Sequence, residues 1–122
     1  PLKALIDKGT PVLGTCAGLI VLAETISGGE ESVFGTLPVE VCRNAYGRQL
    51  GSFKTVATLG GLGEVPMTFI RAPRIVKVGP RAGALAEVDR RIVAARQGAQ
   101  LALAFHPELD DDLRIHQLFL QM

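Results

Sequence analysis

The sequence predicts a single α/β domain built on a largely parallel sheet with some antiparallel additions. Three observations carry that prediction. Short apolar runs with strand character are interleaved with stretches of helical spacing. No internal repeat or low-complexity linker divides the chain. Its 122 residues, 48% of them hydrophobic, are enough for one core and too apolar for disorder.

The elements follow in order. Leu2, Leu5 and Ile6 keep helical spacing and Gly9 stops them, so residues 2–8 read as the end of a helix. With Pro1 rather than Met at the start, the expectation is that the natural chain begins further upstream. Val12 and Leu13, between Pro11 and Gly14, form a buried strand, and Leu19, Ile20, Leu22 and Ala23 continue as a helix. The Gly- and Glu-rich stretch Ser27 to Ser32 is a loop. Leu37, Val39 and Val41 alternate as in a half-buried strand, and Arg43 to Gln49 is a polar loop. Phe53 to Leu59 is a strand closed by Gly60, Gly61 and Gly63. Met67 to Ile70 is a strand ending at Arg71, Ala72-Pro73-Arg74 turns the chain, and Ile75 to Val78 is extended. Ile92–Ala95 and Leu101–Phe105 flank a hairpin turn at Gln97-Gly98-Ala99-Gln100. Asp110, Asp111 and Asp112 cap a last helix whose buried face is Ile115, Leu118, Phe119 and Met122.

Composition excludes several functions. A formal charge of +1, no Trp and few aromatics give no reason to expect a nucleic-acid or anionic-membrane partner. The longest apolar run, Ala17 to Ala23, cannot span a bilayer, and no signal peptide is visible. Two cysteines, Cys16 and Cys42, make no disulfide framework and suit a reducing, cytoplasmic setting.

Chemistry concentrates at two places. In Gly14-Thr15-Cys16-Ala17-Gly18 a cysteine sits between a strand end and a helix start, flanked by small residues, as in a nucleophile elbow. The helix start is expected to lower the thiol pKa, and the Ala17 amide to donate to a developing oxyanion. The alternative is a buried structural thiol. In His106-Pro107-Glu108, an extended backbone would put His106 and Glu108 on one side, so that the carboxylate orients the ring. The alternative there is a capping histidine beside a solvated glutamate. Both segments follow strands that can end on one sheet edge, so each strengthens the other. Cys42 reads as inert, His116 as a surface or packing residue, and Arg48 and Arg74 as solvated, salt-bridged or at a subunit contact.

Pro11-Val12-Leu13-Gly14-Thr15-Cys16-Ala17-Gly18-Leu19-Ile20 resembles the nucleophile segment of class I glutamine amidotransferases. Ile20, where most branches carry Gln, points to the vitamin B6 branch, the glutaminase subunits of pyridoxal 5′-phosphate synthases. Arg43-Asn44-Ala45-Tyr46-Gly47-Arg48-Gln49, Phe69-Ile70-Arg71-Ala72-Pro73 and Phe105-His106-Pro107-Glu108-Leu109 agree with that branch, in the right order over essentially the whole chain.

The resemblance implies a three-layer, flavodoxin-like amidotransferase domain over residues 1–122, partial, with its first βα units missing. It implies Cys16 as nucleophile, with His106 and Glu108 completing a triad, and Arg43, Ile70 and Arg71 contacting L-glutamine. It implies a thioester route to glutamate, with ammonia passed to a synthase subunit, and no metal or organic cofactor. The family's Gly-Gly-Glu-Ser element is expected upstream, so Gly28-Gly29-Glu30-Glu31-Ser32 reads as an ordinary loop, and residues 1–122 alone are expected to be a poor glutaminase. The alternatives are a glutaminase of another pathway, such as histidine or purine synthesis, or a non-catalytic module of the same fold.

Overall fold

A computed structural model describes residues 1–43 and 52–122. Helix α1 (Leu2–Asp7) stops where the sequence says it should. Gly9 takes φ 93°, and the amides of Gly9 and Thr10 return to the carbonyls of Ile6 and Leu5, the double closure of a Schellman motif. Strand β1 (Val12–Thr15) leads through Cys16 into helix α2 (Ala17–Leu22). Gly14 allows that tight passage: a Cβ on it would lie 2.8 Å from the Gly18 carbonyl oxygen and from Leu22 Cδ1.

The helix ends one residue earlier than its apolar pattern implies, because Ala23 turns extended and opens β2 (Ala23–Ile26). Strands β3 (Leu37–Cys42), β4 (Ser52–Thr58), β5 (Glu64–Ile70) and β6 (Arg74–Val78) follow. Strands β7 (Gly83–Val88), β8 (Arg91–Gln97) and β9 (Gln100–Leu103) complete the sheets, and helix α3 (Arg114–Leu120) comes last. Strand β7 has no counterpart in the sequence reading. Its burial runs exposed, exposed, half-buried, buried, exposed, buried, and only the last residues alternate.

The α/β class holds, but the sheet is mixed and curled rather than mostly parallel. Its order is β1-β9-β8-β6-β3-β2, with β7 on β8. Among the described residues only β1–β9 and β2–β3 run parallel. The pairs β3–β6, β6–β8, β7–β8 and β8–β9 are antiparallel. Connection length explains the last two of these pairs. Asp89-Arg90 and Gly98-Ala99 are two-residue hairpin links, whereas a parallel crossover needs a dozen residues or more. Asp89 and Arg90 both take positive φ, 51° and 65°, as a primed turn demands.

The core gathers Leu19, Leu37, Val41, Val93, Leu101 and Phe105, all fully buried. A separate hairpin, β4–β5, is fastened to it by aromatic rings. Phe53 stacks on Phe69 at 4.6 Å, and Phe69 meets Phe105 at 5.7 Å in a tilted pair. Arg114 adds a polar fastening, donating to the carbonyls of Leu62 and Glu64 while Asp112 grips its guanidinium. Of the three expected caps, Asp112 accepts the Arg114 backbone N–H, and Leu113 occupies the cap position itself. The helix face is as expected at Ile115, which is buried, with Leu118 and Met122 packed on the core.

Candidate active site

Two chain segments meet at the carboxyl ends of the paired strands β1 and β9. In the parallel register Thr15 lies opposite Leu103, and the Cys16 amide donates to the Leu103 carbonyl at 2.8 Å. Cys16 therefore stands one step past the end of β1. Its backbone has φ 52° and ψ −105°, a left-handed conformation for a side-chain-bearing residue. Such strain costs on the order of 1–3 kcal/mol, and it is what projects the side chain out of the strand–helix turn. Gly18 leaves open space there, since a Cβ on it would meet nothing within 4 Å.

His106 arrives from the other segment. Its amide donates to the Thr68 carbonyl at 2.8 Å, which ties the chain leaving β9 to strand β5. Residues Pro107–Leu109 then form a 3₁₀ turn instead of the extended triplet the sequence suggested. Pro107 fixes the turn's first dihedral, and Asp110 N–H closes it on the Pro107 carbonyl. The outcome for the side chains is the expected one: His106 Nδ1 lies 2.7 Å from Glu108 Oε2. A carboxylate there sets the tautomer with the proton on Nδ1, leaving the lone pair on Nε2. The ring is mostly covered while the carboxylate is half exposed.

The electrostatics differ from expectation at the thiol. Burial pushes the Cys16 thiol up, the Ala17 N–H pulls it down, and the Glu108 charge pushes it up again. The net direction is upward from the ordinary value, where the helix start alone suggested a decrease. Helix α2 has only six residues, so its end carries little beyond that one amide. The Glu108 charge is thus felt at the thiol. For Glu108, burial raises the carboxyl, but its own backbone N–H, the His106 hydrogen bond and the charges of His106 and His116 outweigh it. The net direction is downward.

The remaining candidates divide. Ile70 is at the thiol: its carbonyl lies 3.9 Å from Cys16 Sγ, and its side chain is 41% exposed at the end of β5. Arg71 follows with φ 45°, exposed. Register brings Arg43 to the same neighbourhood of strand ends, because Cys42 pairs with Arg74, where β3 finishes and β6 begins. Arg43 is held by Glu30, Nε to Oε2 at 3.0 Å, so the Gly28–Ser32 loop is tied to a candidate residue. Residues 44–49 of the polar loop, Arg48 among them, lie outside the described residues. Both cysteines are free, and Cys42 Sγ lies 3.5 Å from the Arg43 carbonyl.

His116, read from sequence as a surface or packing residue, has a buried Nδ1 with no hydrogen-bond partner among the described residues, and its charge lowers the Glu108 carboxyl. Thr68 was also missed. Its signal was a polar residue inside the apolar run Met67 to Ile70. No group of three or more His, Cys, Asp or Glu side chains is placed to hold a metal ion among the described residues. No helix among them is long and apolar enough to cross a membrane.

A strand–elbow–helix cysteine beside a histidine–carboxylate pair, on an α/β sheet, is the layout of a thiol amidotransferase fold. A solved structure titled as a glutamine amidotransferase superposes with a TM-score of 0.92 at 41% identity, covering 98% of this chain and 65% of that one. PurLQS from Thermotoga maritima shares the fold at a TM-score of 0.65 and 14% identity, over 98% of this chain and 65% of that one. The SNO glutamine amidotransferase family matches residues 1–122, and the chain belongs to that family. Among curated relatives, the pyridoxal 5′-phosphate synthase subunit PdxT of Methanocorpusculum labreanum is 57% identical over 121 residues, 99% of this chain and 64% of the relative. PdxT of Desulfitobacterium hafniense is 58% identical over 120 residues, 98% and 60% respectively. The chain thus spans somewhat under two thirds of the length of these relatives.

Proposed function

We propose that this chain is the glutamine amidotransferase domain of a glutaminase, which hydrolyses L-glutamine and supplies ammonia to a pyridoxal 5′-phosphate synthase subunit in the cytoplasm. The observation that carries the reading is the 2.7 Å His106–Glu108 pair set beside a cysteine held at φ 52°. The relatives' name, pyridoxal 5′-phosphate synthase subunit, supplies the pathway.

In this reading His106 Nε2 takes the Cys16 proton, which the raised thiol otherwise retains. The thiolate attacks the side-chain amide carbon of glutamine, and the Ala17 N–H, which faces the sulfur, donates to the oxyanion that forms. The tetrahedral species collapses as His106 gives its proton to the nitrogen. The C–N bond breaks, ammonia leaves and a Cys16 thioester remains. His106 then draws a proton from water as the hydroxide attacks the thioester carbon; the C–S bond breaks, glutamate leaves, and the departing thiolate takes the proton back from His106 to restore the thiol. Glu108 keeps Nδ1 protonated and stabilises the imidazolium in both halves. Arg43 and Arg71 offer guanidinium groups to the α-carboxylate, and Ile70 walls the pocket beside the sulfur.

The test is glutamate release by the natural full-length protein, with and without the synthase subunit, beside Cys16→Ala. Synthase-stimulated release that Cys16→Ala abolishes is the expected result. Undiminished release by Cys16→Ala, or none from the wild type under any condition, overturns the reading.

A further inference from the structure

Strand β5 alternates cleanly except at one residue. Val65, Met67 and Phe69 form its buried face; Glu64 and Ile70, on the other face, are exposed. Thr68 shares that outer face, yet is only 6% exposed. The Pro107–Leu109 turn packs on β5 and covers it. A covered hydroxyl needs a partner, and this one has a carboxylate: Thr68 Oγ1 lies 3.1 and 3.0 Å from the two oxygens of Asp110. The Thr68 carbonyl meanwhile accepts the His106 amide at 2.8 Å. One residue of β5 thus holds both ends of the turn that carries the base and its carboxylate, His106 at the entry and Asp110 at the exit. Two residues further along the same strand, the Ile70 carbonyl touches Cys16 Sγ. Strand β5 is therefore a common strut between the two halves of the site.

We propose that Thr68 and Asp110 are positioning residues, a clamp that fixes the His106–Glu108 turn on β5 at the distance from Cys16 that proton transfer requires. The three consecutive aspartates support this division of labour. Asp112 serves Arg114, Asp111 is exposed, and only Asp110 turns back to the strand. The clamp touches no reacting atom. It acts through the placement of His106, so its loss falls on turnover and not on substrate binding.

The inference rests on the glutaminase reading, and its test is separable from that reading. In the natural full-length protein with its synthase subunit, Thr68→Val removes the hydroxyl at constant shape. Its kcat is expected to fall about tenfold to a hundredfold, the scale on which small misplacements act, with KM changing less than about threefold. Thr68→Ser, which keeps the hydroxyl, is expected to restore most of the lost kcat. Asp110→Ala should match Thr68→Val, Asp110→Asn should be milder because an acceptor remains, and the double variant Thr68→Val/Asp110→Ala should be no worse than either single one. Three outcomes overturn the clamp while wild-type glutaminase stands: an unchanged kcat in Thr68→Val despite a lowered Tm, an equal loss in Thr68→Ser, or losses that multiply in the double variant. Absence of wild-type turnover instead removes the glutaminase reading and the clamp with it.

Discussion

Gly14→Ala tests whether the elbow depends on the close approach of β1 to α2. The added Cβ would stand 2.8 Å from the Gly18 carbonyl oxygen, 2.9 Å from its carbonyl carbon and 2.8 Å from Leu22 Cδ1. Leu22 can rotate aside, but Gly18 presents backbone, so strand and helix must part. Overpacking of this kind costs about 1–3 kcal/mol, offset by roughly 0.4–1 kcal/mol from the stiffer unfolded chain. A net loss of about 1–2 kcal/mol follows, or a Tm lower by roughly 3–10 °C for a domain of this size. The same parting moves Cys16 and the Ala17 amide, which sit between the two elements, so glutaminase turnover should fall by about tenfold or more. Gly18→Ala is the control. It lies inside α2 with nothing within 4 Å of the new Cβ, so it should leave Tm unchanged or raise it by the helix-propensity gain of roughly 1 kcal/mol. Calorimetry and a coupled glutamate assay on both variants decide the matter. A Gly14→Ala protein as stable as wild type, or a Gly18→Ala protein less stable than Gly14→Ala, refutes the reasoning.

Four further outcomes are expected. Cys16→Ala loses glutamate release with an unchanged circular dichroism spectrum, and substantial residual turnover would remove Cys16 as nucleophile. His106→Ala is more damaging than Glu108→Gln, because the carboxylate orients the base without moving the protons itself; the opposite order in kcat reverses the roles. Arg43→Ala raises the glutamine KM about tenfold to a hundredfold, the worth of a charge-assisted hydrogen bond, with less effect on kcat. Its Nε is already held by Glu30, which leaves the terminal nitrogens for a carboxylate, and an unmoved KM would make the residue structural. Finally, iodoacetamide should alkylate Cys16 slowly at neutral pH, with a rate that climbs only above the ordinary thiol value, and Glu108→Gln should move the onset to lower pH. An onset below that of a free thiol, or one indifferent to Glu108, would contradict the burial and charge effects at the sulfur.

The site was far more legible in the sequence than the sheet was. Small residues around Cys16 and the His106-Pro107-Glu108 spacing report local backbone geometry, which a few neighbouring residues determine. Even where the local form was misread, as with the 3₁₀ turn at Pro107, a two-residue spacing kept His106 and Glu108 within reach. Strand direction is different, because it depends on partners distant in sequence. The antiparallel pairs β7–β8 and β8–β9 follow from the two-residue links at Asp89-Arg90 and Gly98-Ala99, and the first of these was invisible while β7 was unrecognised. Thr68 was passed over for a related reason. Its burial is imposed by a turn about forty residues later, so no window along the chain contains the cause.

That separation bears on how the thiol is controlled. Burial and Glu108 both disfavour a thiolate, and the single Ala17 amide does not reverse them. In the proposed reading the sulfur at rest keeps its proton, and the acceptor that takes it is His106, whose amide is held by the Thr68 carbonyl. Nucleophilicity, on the proposed mechanism, is a property of the pair and of the strut between them. Strand β5 reaches both members, through the Ile70 carbonyl at the sulfur and the Thr68 carbonyl at the His106 amide. The aromatic contacts of Phe69 with Phe53 and Phe105 anchor that strand between those two points. A displacement of β5 would thus change the distance between sulfur and base without touching either residue.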